Sequence, residues 1–92
     1  MEALYAQSEM ATVKWKLAEF MKAHDVSAYE LGLKLGGHTR MSQAYRLASD
    51  KKPPARVDFA TMGEIIRALN EITDSQVALT DLLEFDPTDQ TN

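Results

Sequence analysis

A chain of 92 residues is long enough for one domain with its own hydrophobic core and too short for two. It contains no cysteine, which excludes disulfide bonds and thiolate zinc sites. No apolar run approaches the roughly 20 residues that span a bilayer, and the N-terminus lacks the basic-then-apolar order of a secretory signal. These features predict a cytoplasmic protein with no membrane segment.

The net charge of −4 hides an uneven distribution along the chain. Residues 13–56 carry nine basic and four acidic side chains, a net charge of +5, whereas residues 57–92 carry one basic and eight acidic side chains, a net charge of −7. Because nucleic acids are bound through lysine and arginine, this split favours a molecule in which one half faces an anionic partner. Chance segregation of surface charge is the alternative interpretation.

The N-terminal part of the chain predicts an extension followed by a helix. Residues 1–12 are weakly patterned and are expected to form a flexible extension or a short extra helix. A first helix is predicted over residues 13–24 because its apolar residues recur at helical spacing. They are Val13, Leu17, Phe20 and Met21. Trp15 lies at the edge of this face and is predicted to be a packing residue rather than a platform for base stacking.

A second helix is predicted over residues 28–35. Ser27 and Glu30 have the spacing of a capping box, in which each side chain bonds a backbone N–H at the helix start. Gly32 lies beside the apolar face, where it would let a crossing helix approach closely. Gly36-Gly37 ends the helix, since glycine accepts the left-handed backbone that a helix C-terminus commonly needs.

A third helix is predicted over residues 41–48, where Ala44 and Leu47 resume the apolar spacing. The polar residues around them project elsewhere and are typical of side chains that read base edges and phosphates. They are Arg40, Ser42, Gln43 and Arg46. Two short helices joined by a glycine turn, in this order, predict a helix-turn-helix motif.

The remainder of the chain predicts a loop, a long helix and a short closing element. Pro53-Pro54 marks a loop over residues 49–57. A core helix begins after the N-cap Asp58 and runs to residue 72, and Gly63 within it indicates either a close helix contact or a tolerated defect. Residues 77–79 are predicted to be extended, residues 80–85 to form a final helical turn, and residues 86–92 to be a disordered acidic tail.

The order of these elements from residue 14 to residue 85 resembles the phage-repressor-like helix-turn-helix proteins, also called the Cro-like or XRE family. The resemblance rests mainly on Leu31-Gly32, Leu35-Gly36, Ala44, Tyr45-Arg46-Leu47 and the helix that follows Asp58. It implies an all-α fold of five short helices over residues 13–85. It also implies a double-stranded DNA-binding transcriptional regulator, expected to be a repressor, that acts as a homodimer on an inverted-repeat operator. Some members of the family are antitoxins.

The resemblance also implies which residues contact DNA, with the third helix in the major groove. Between Gly36 and Ala44, the first buried position of this helix, there are seven residues where the family usually has five, so the positions are counted back from Ala44 and Leu47. The residues expected to contact bases are Arg40, Met41, Ser42, Gln43 and Arg46. The residues expected to contact phosphates are Lys34, His38, Thr39, Tyr45, Lys51, Lys52 and Arg56.

The sequence also contains residues that could indicate other functions. His24-Asp25 and His38 lack the partners of a catalytic base, and Asp86 and Asp89 lack further metal ligands, so we expect neither catalysis nor a metal nor a cofactor. The stronger alternative is a protein-interaction module with the same fold. Its apolar C-terminal docking surface, for a toxin partner or a second copy, would consist of Leu79, Leu82, Leu83 and Phe85.

Overall fold

The computed structural model of the protein describes residues 11–87. Strand β1 (Ala11–Trp15) comes first and strand β2 (Leu83–Pro87) comes last. Four helices lie between the strands: α1 (Leu17–Ala23), α2 (Ala28–Leu35), α3 (Met41–Leu47) and α4 (Phe59–Thr73). One 3-10 turn, Gly37–Arg40, precedes α3, and another, Leu79–Asp81, precedes β2.

The predicted all-α fold of five helices is wrong, because β1 and β2 form an antiparallel two-stranded sheet. Val13 lies opposite Phe85, and Trp15 lies opposite Leu83. The helix predicted over residues 13–24 is therefore divided, with a strand to Trp15 and a helix that begins only at Leu17. The β-branched Thr12-Val13 pair favours a strand locally, but the strand that stabilises it lies about 70 residues further along the chain.

The C-terminal prediction is also wrong in its type of structure. Residues 80–85 were expected to form a helical turn, but the helical part ends at Asp81 and β2 begins at Leu83. Asp86 and Pro87, assigned to the acidic tail, belong to β2. The rest of that tail, residues 88–92, and residues 1–10 of the predicted N-terminal extension lie outside the described residues.

The helices surround one hydrophobic core to which every helix contributes. The side chains with no measurable solvent exposure come from α1, α2, α3, α4 and the segment before β2. They include Leu17, Leu31, Ala44, Ile65, Leu69 and Leu82. Because α2 and α3 are each eight residues or fewer, they are too short to be stable alone, and this shared core holds them in place.

The helix-turn-helix segment begins with the predicted capping box. The backbone N–H of Glu30 donates to Ser27 Oγ at 3.1 Å, and the backbone N–H of Ser27 donates to Glu30 Oε1 at 3.0 Å. The predicted close approach at Gly32 is also present, since a Cβ at this position would overlap the Met41 side chain. Gly37 has a φ of 77°, in the left-handed region that favours glycine. The 3-10 turn accommodates the additional residues before α3.

Among residues 11–87, no neighbour explains Gly63, because a Cβ at this position would meet no atom within 4 Å. The interpretation as a close helix contact is therefore excluded.

We expect Gly63→Ala to raise the free energy of unfolding by about 0.5–1 kcal/mol, since alanine is the better helix former. Gly37→Ala also meets open space, but its φ of 77° strains any side chain, so we expect it to destabilise. Urea unfolding of both variants checks the prediction, and equal effects would contradict it.

Candidate nucleic-acid interface

Helix α3 has one buried face and one face open to solvent. Ala44 is fully buried and Leu47 nearly so, as predicted from their spacing. Ser42, Tyr45 and Arg46 are exposed. The rotation of α3 therefore presents a hydroxyl, a phenol and a guanidinium together, which are groups suited to hydrogen bonding with base edges and phosphates.

The C-terminus of α3 is tied to the sheet by a side chain of β1. Trp15 Nε1 donates to the carbonyl oxygen of Leu47 at 2.7 Å. This carbonyl is one of the last in α3, so it accepts no hydrogen bond from within the helix. Trp15 is half-buried against the core, so it is a packing residue that also fixes the end of α3.

Arg40 is held within the protein rather than free on the surface of α3. Its Nη2 lies 2.7 Å from Glu64 Oε1 of α4, and its Nε donates to Gln43 Oε1 at 2.6 Å. Its Nη1 is 3.5 Å from the carbonyl oxygen of Leu35. The guanidinium thus links α2, α3 and α4, and a base contact by Arg40 or by the carbonyl group of Gln43 would require rearrangement of this network.

The other residues predicted near the start of α3 differ in accessibility. Met41 is half-buried because its side chain packs on Gly32. His38 and Thr39 are exposed on the 3-10 turn, and Thr39 Oγ1 lies 3.4 Å from the carbonyl oxygen of Gly36. The turn therefore places two polar side chains beside the exposed face of α3.

Among residues 11–87, three ion pairs join the basic half of the sequence to its acidic half. They are Lys16–Glu84 at 3.8 Å, Lys34–Glu71 at 3.3 Å and Arg40–Glu64 at 2.7 Å. Part of the charge split therefore serves the fold rather than a partner. Lys34, predicted to contact phosphate, is one of the paired residues.

The cations left without an acidic partner among residues 11–87 lie mainly on α3 and the loop after it. They are Lys14, Lys22, Arg46, Lys51, Lys52 and Arg56. Arg46 and Arg56 line the same groove, of about 250 Å³, between α3 and the start of α4. Four of these six cations therefore lie at the end of α3 and in the following loop, which also contains the exposed acid Asp50.

One acid borders this groove. Asp58 caps α4 and accepts a hydrogen bond from the backbone N–H of Thr61 at 2.8 Å. Hydrogen bonds from the side chain and then the backbone of Thr61 lower the pKa of Asp58. Its negative charge is therefore directed to the N-terminus of α4, where the helix dipole favours it.

Sequence reasoning missed the residues that engage Arg40, Lys34 and Trp15. Glu64 and Glu71 lie on α4, and their partners lie more than 20 residues earlier in the chain. No local pattern predicts such a pairing. Of the ion pairs within residues 11–87, only Arg67–Glu71 has a spacing that the sequence itself indicates, because residues i and i+4 are neighbours on a helix surface.

Within residues 11–87 no cluster of three or more His, Cys, Asp or Glu side chains is arranged to hold a metal ion. None of the described helices has both the length and the apolar character needed to cross a membrane. Comparison with protein-family models, curated proteins and solved structures finds no match to this chain. The function is therefore inferred from the geometry of α3 and the charges around it.

Proposed function

We propose that the protein is a non-catalytic, sequence-specific regulator that binds double-stranded DNA with α3 in the major groove. The observation that carries this proposal is the rotation of α3. Ala44 and Leu47 anchor the helix to the core while Ser42, Tyr45 and Arg46 face solvent. A helix exposed along one side and supported by a second helix across a short turn has the shape that the major groove admits.

Arg46 is the strongest candidate for reading a base. It is exposed, no acidic residue among those described pairs with it, and its planar guanidinium suits the O6 and N7 acceptors of guanine. Ser42 lies on the exposed side of the same helix. Gln43 and Arg40 support α3 through their mutual hydrogen bond in the free protein, and a base contact by Arg40 or by the carbonyl group of Gln43 requires this network to rearrange. Met41 offers only the part of its side chain not packed on Gly32.

The phosphate contacts come from residues that flank this face. The loop after α3 supplies Lys51, Lys52 and Arg56, α3 supplies Tyr45, and the turn supplies His38 and Thr39. Lys34 is the weakest of the proposed contacts, because binding a phosphate would compete with Glu71. Such contacts position the helix and provide affinity, but they carry no sequence information.

A salt titration tests whether duplex DNA is the partner. Fluorescence anisotropy of the full-length protein with a random-sequence duplex should show an affinity that falls with salt, with a log–log slope of about −0.9 for each phosphate neutralised. Three or more contacts correspond to a slope of about −2.7 or steeper. Binding that is absent at low salt, or independent of salt, would contradict the proposal.

The Arg40–Glu64 pair yields a separate prediction. Glu64→Gln removes the charge that holds the Arg40 guanidinium, so we expect tighter duplex binding and a salt slope steeper by about 0.9, for one more phosphate contact. Asp74→Asn is the matched control, because it removes the same charge at an exposed helix end. Equal slopes for the two variants would show that Arg40 serves only the fold.

The family resemblance extends the proposal to a cytoplasmic repressor that binds an inverted-repeat operator as a homodimer. A second candidate, the protein-interaction module or antitoxin, is favoured by the exposure of Phe85 and Leu79 from its predicted docking surface. Leu82 does not belong to that surface, since it is fully buried. A module that only binds a toxin need show no salt-dependent affinity for duplex, so the titration separates the two functions.

A further inference from the structure

A groove of about 290 Å³ lies where the sheet meets the start of α4. Val13 and Trp15 of β1 line it, together with Phe59 and Met62 of α4. Phe59 is 94% exposed, so the groove leaves a large apolar surface in contact with water. We infer that this groove binds a small apolar carboxylate, whose charged group pairs with the guanidinium of Arg56.

The charge within the groove indicates the class of ligand. Of the described residues that line it, only Arg56 is charged, and the others are apolar. Arg56 is exposed and has no acidic partner among residues 11–87. Asp58, the nearest acid in the sequence, lines the groove beside α3 instead and caps α4. One guanidinium in apolar surroundings complements a ligand that carries one anionic group on an apolar body.

The size and charge of the groove narrow this class further. Ligand pockets usually measure about 300–1,000 Å³, so a groove of 290 Å³ suits a small ligand. A second anionic group would meet no second cation among the described lining residues. A monocarboxylate therefore fits better than a dicarboxylate or a phosphate monoester. Its apolar body, a short aliphatic chain or a single ring, would contact Phe59 and Trp15.

Two features connect this groove to α3. Pro54, Arg56 and Val57 line both this groove and the groove beside α3. Trp15 also lines the apolar groove, and it donates to the carbonyl oxygen of Leu47 at the end of α3. A carboxylate bound to Arg56 would occupy a cation proposed to contact phosphate, so the ligand and DNA should weaken each other's binding by the same factor. This coupling rests on the proposed function, whereas the ligand site does not.

Tryptophan fluorescence of the full-length protein without DNA tests the ligand site. Trp15 is the only tryptophan of the chain and lines the groove, so its fluorescence should report occupancy. We use octanoate as the probe and expect a saturable change. Octanol has the same chain without the charge and should bind about tenfold more weakly, the lower limit for a hydrogen bond to a charged group, because Arg56 is exposed.

Arg56→Gln tests the charged end of the site. This variant should bind octanoate only as tightly as the unaltered protein binds octanol. Lys52→Gln is the matched control, because it removes a positive charge from the same loop at a residue that does not line the groove. It should leave octanoate binding unchanged.

Phe59→Ala tests the apolar end. Because Phe59 is exposed, its truncation should leave the protein folded. It should weaken the binding of octanoate and octanol alike, roughly fourfold for each ligand CH₂ group that loses its apolar contact. Phe85→Ala is the control, since Phe85 is also exposed but is not among the residues that line the groove.

Several results would overturn the ligand site. They are no saturable change with octanoate, equal affinities for octanoate and octanol, and equal effects of Arg56→Gln and Lys52→Gln. A dimer mass in light scattering that Phe59→Ala returns to the protomer mass of 10.3 kDa would also overturn it, because a second copy would then cover the groove.

The coupling is tested by adding octanoate to the duplex titration. Octanoate should weaken duplex binding by the unaltered protein and have no effect on duplex binding by Arg56→Gln. Octanoate that binds the protein and leaves its duplex affinity unchanged would overturn the coupling. A protein that binds octanoate but no duplex would instead contradict the proposed function, so the two failures are distinguishable.

Discussion

Arg46→Ala is expected to abolish most of the preference for the best DNA sequence while leaving the protein folded. An arginine that binds guanine in a bidentate manner contributes about 1–3 kcal/mol of discrimination, or roughly 5- to 150-fold in the ratio of specific to random binding. Because Arg46 is exposed and has no acidic partner among the described residues, its removal should leave the unfolding midpoint unchanged. Competition binding with specific and random duplexes measures the effect.

Arg67→Ala provides the control for charge. Arg67 is exposed on α4, and within the described part of the chain it pairs only with Glu71, at 3.3 Å, a surface pair of small energetic value. Both variants lose one positive charge, but only Arg46 lies on the solvent face of α3. A similar loss of specificity in both would show that α3 does not read the sequence.

Leu47→Ala should have the opposite effect, a loss of stability with little direct effect on recognition. Truncating a buried leucine lowers the free energy of unfolding by about 2–5 kcal/mol, whereas the whole free energy of unfolding of a small domain is only about 5–15 kcal/mol. The Leu47 carbonyl also accepts the hydrogen bond from Trp15, so a cavity here loosens the contact between α3 and the sheet. Urea unfolding followed by the fluorescence of the single tryptophan measures the change.

Leu33→Ala is the matched control for this variant. Leu33 lies on α2 and is 48% exposed, so the same truncation creates no cavity and should cost far less. At temperatures where both variants are folded, specificity for the best duplex should be retained. Equal destabilisation by the two truncations would contradict the assignment of Leu47 to the core.

Much of the central part of the fold was predictable because its signals are local. The Ser27–Glu30 capping box, the glycine turn and the apolar spacing of Ala44 and Leu47 lie within about 20 residues of one another. Each acts through backbone geometry or helical periodicity, which depend on neighbouring residues. Helix α2 and its boundaries, and the buried face of α3, were therefore predicted correctly.

The sheet was not predictable in the same way, because its stability comes from pairing distant segments. Val13 lies four residues before Leu17, which is also the spacing of a helix face. The alternation of Leu83-Glu84-Phe85-Asp86 is a short strand signal that also fits one helical turn. Only the ladder between β1 and β2 decides between these structures, and local propensity carries no information about it.

The candidate interface was likewise predictable in position but not in detail. The exposed side of α3 follows from Ala44 and Leu47, which lie on the opposite side. The retention of Arg40 by Glu64 depends on how α4 packs against α3, and nothing in the local sequence indicates it. The family resemblance therefore predicted a DNA contact for Arg40 from its position and residue type, whereas the packing gives it a role within the fold.

Selection of bound duplexes from a random-sequence pool tests the central claim most directly, because it reports binding, specificity and half-site symmetry together. We predict enrichment of one sequence with guanine at a position lost from the selection with Arg46→Ala. For a dimer, we expect two inverted half-sites about 34 Å apart, or a multiple of that spacing. No enriched sequence at low salt, together with residual duplex binding unchanged by Arg46→Ala, would contradict DNA recognition by α3.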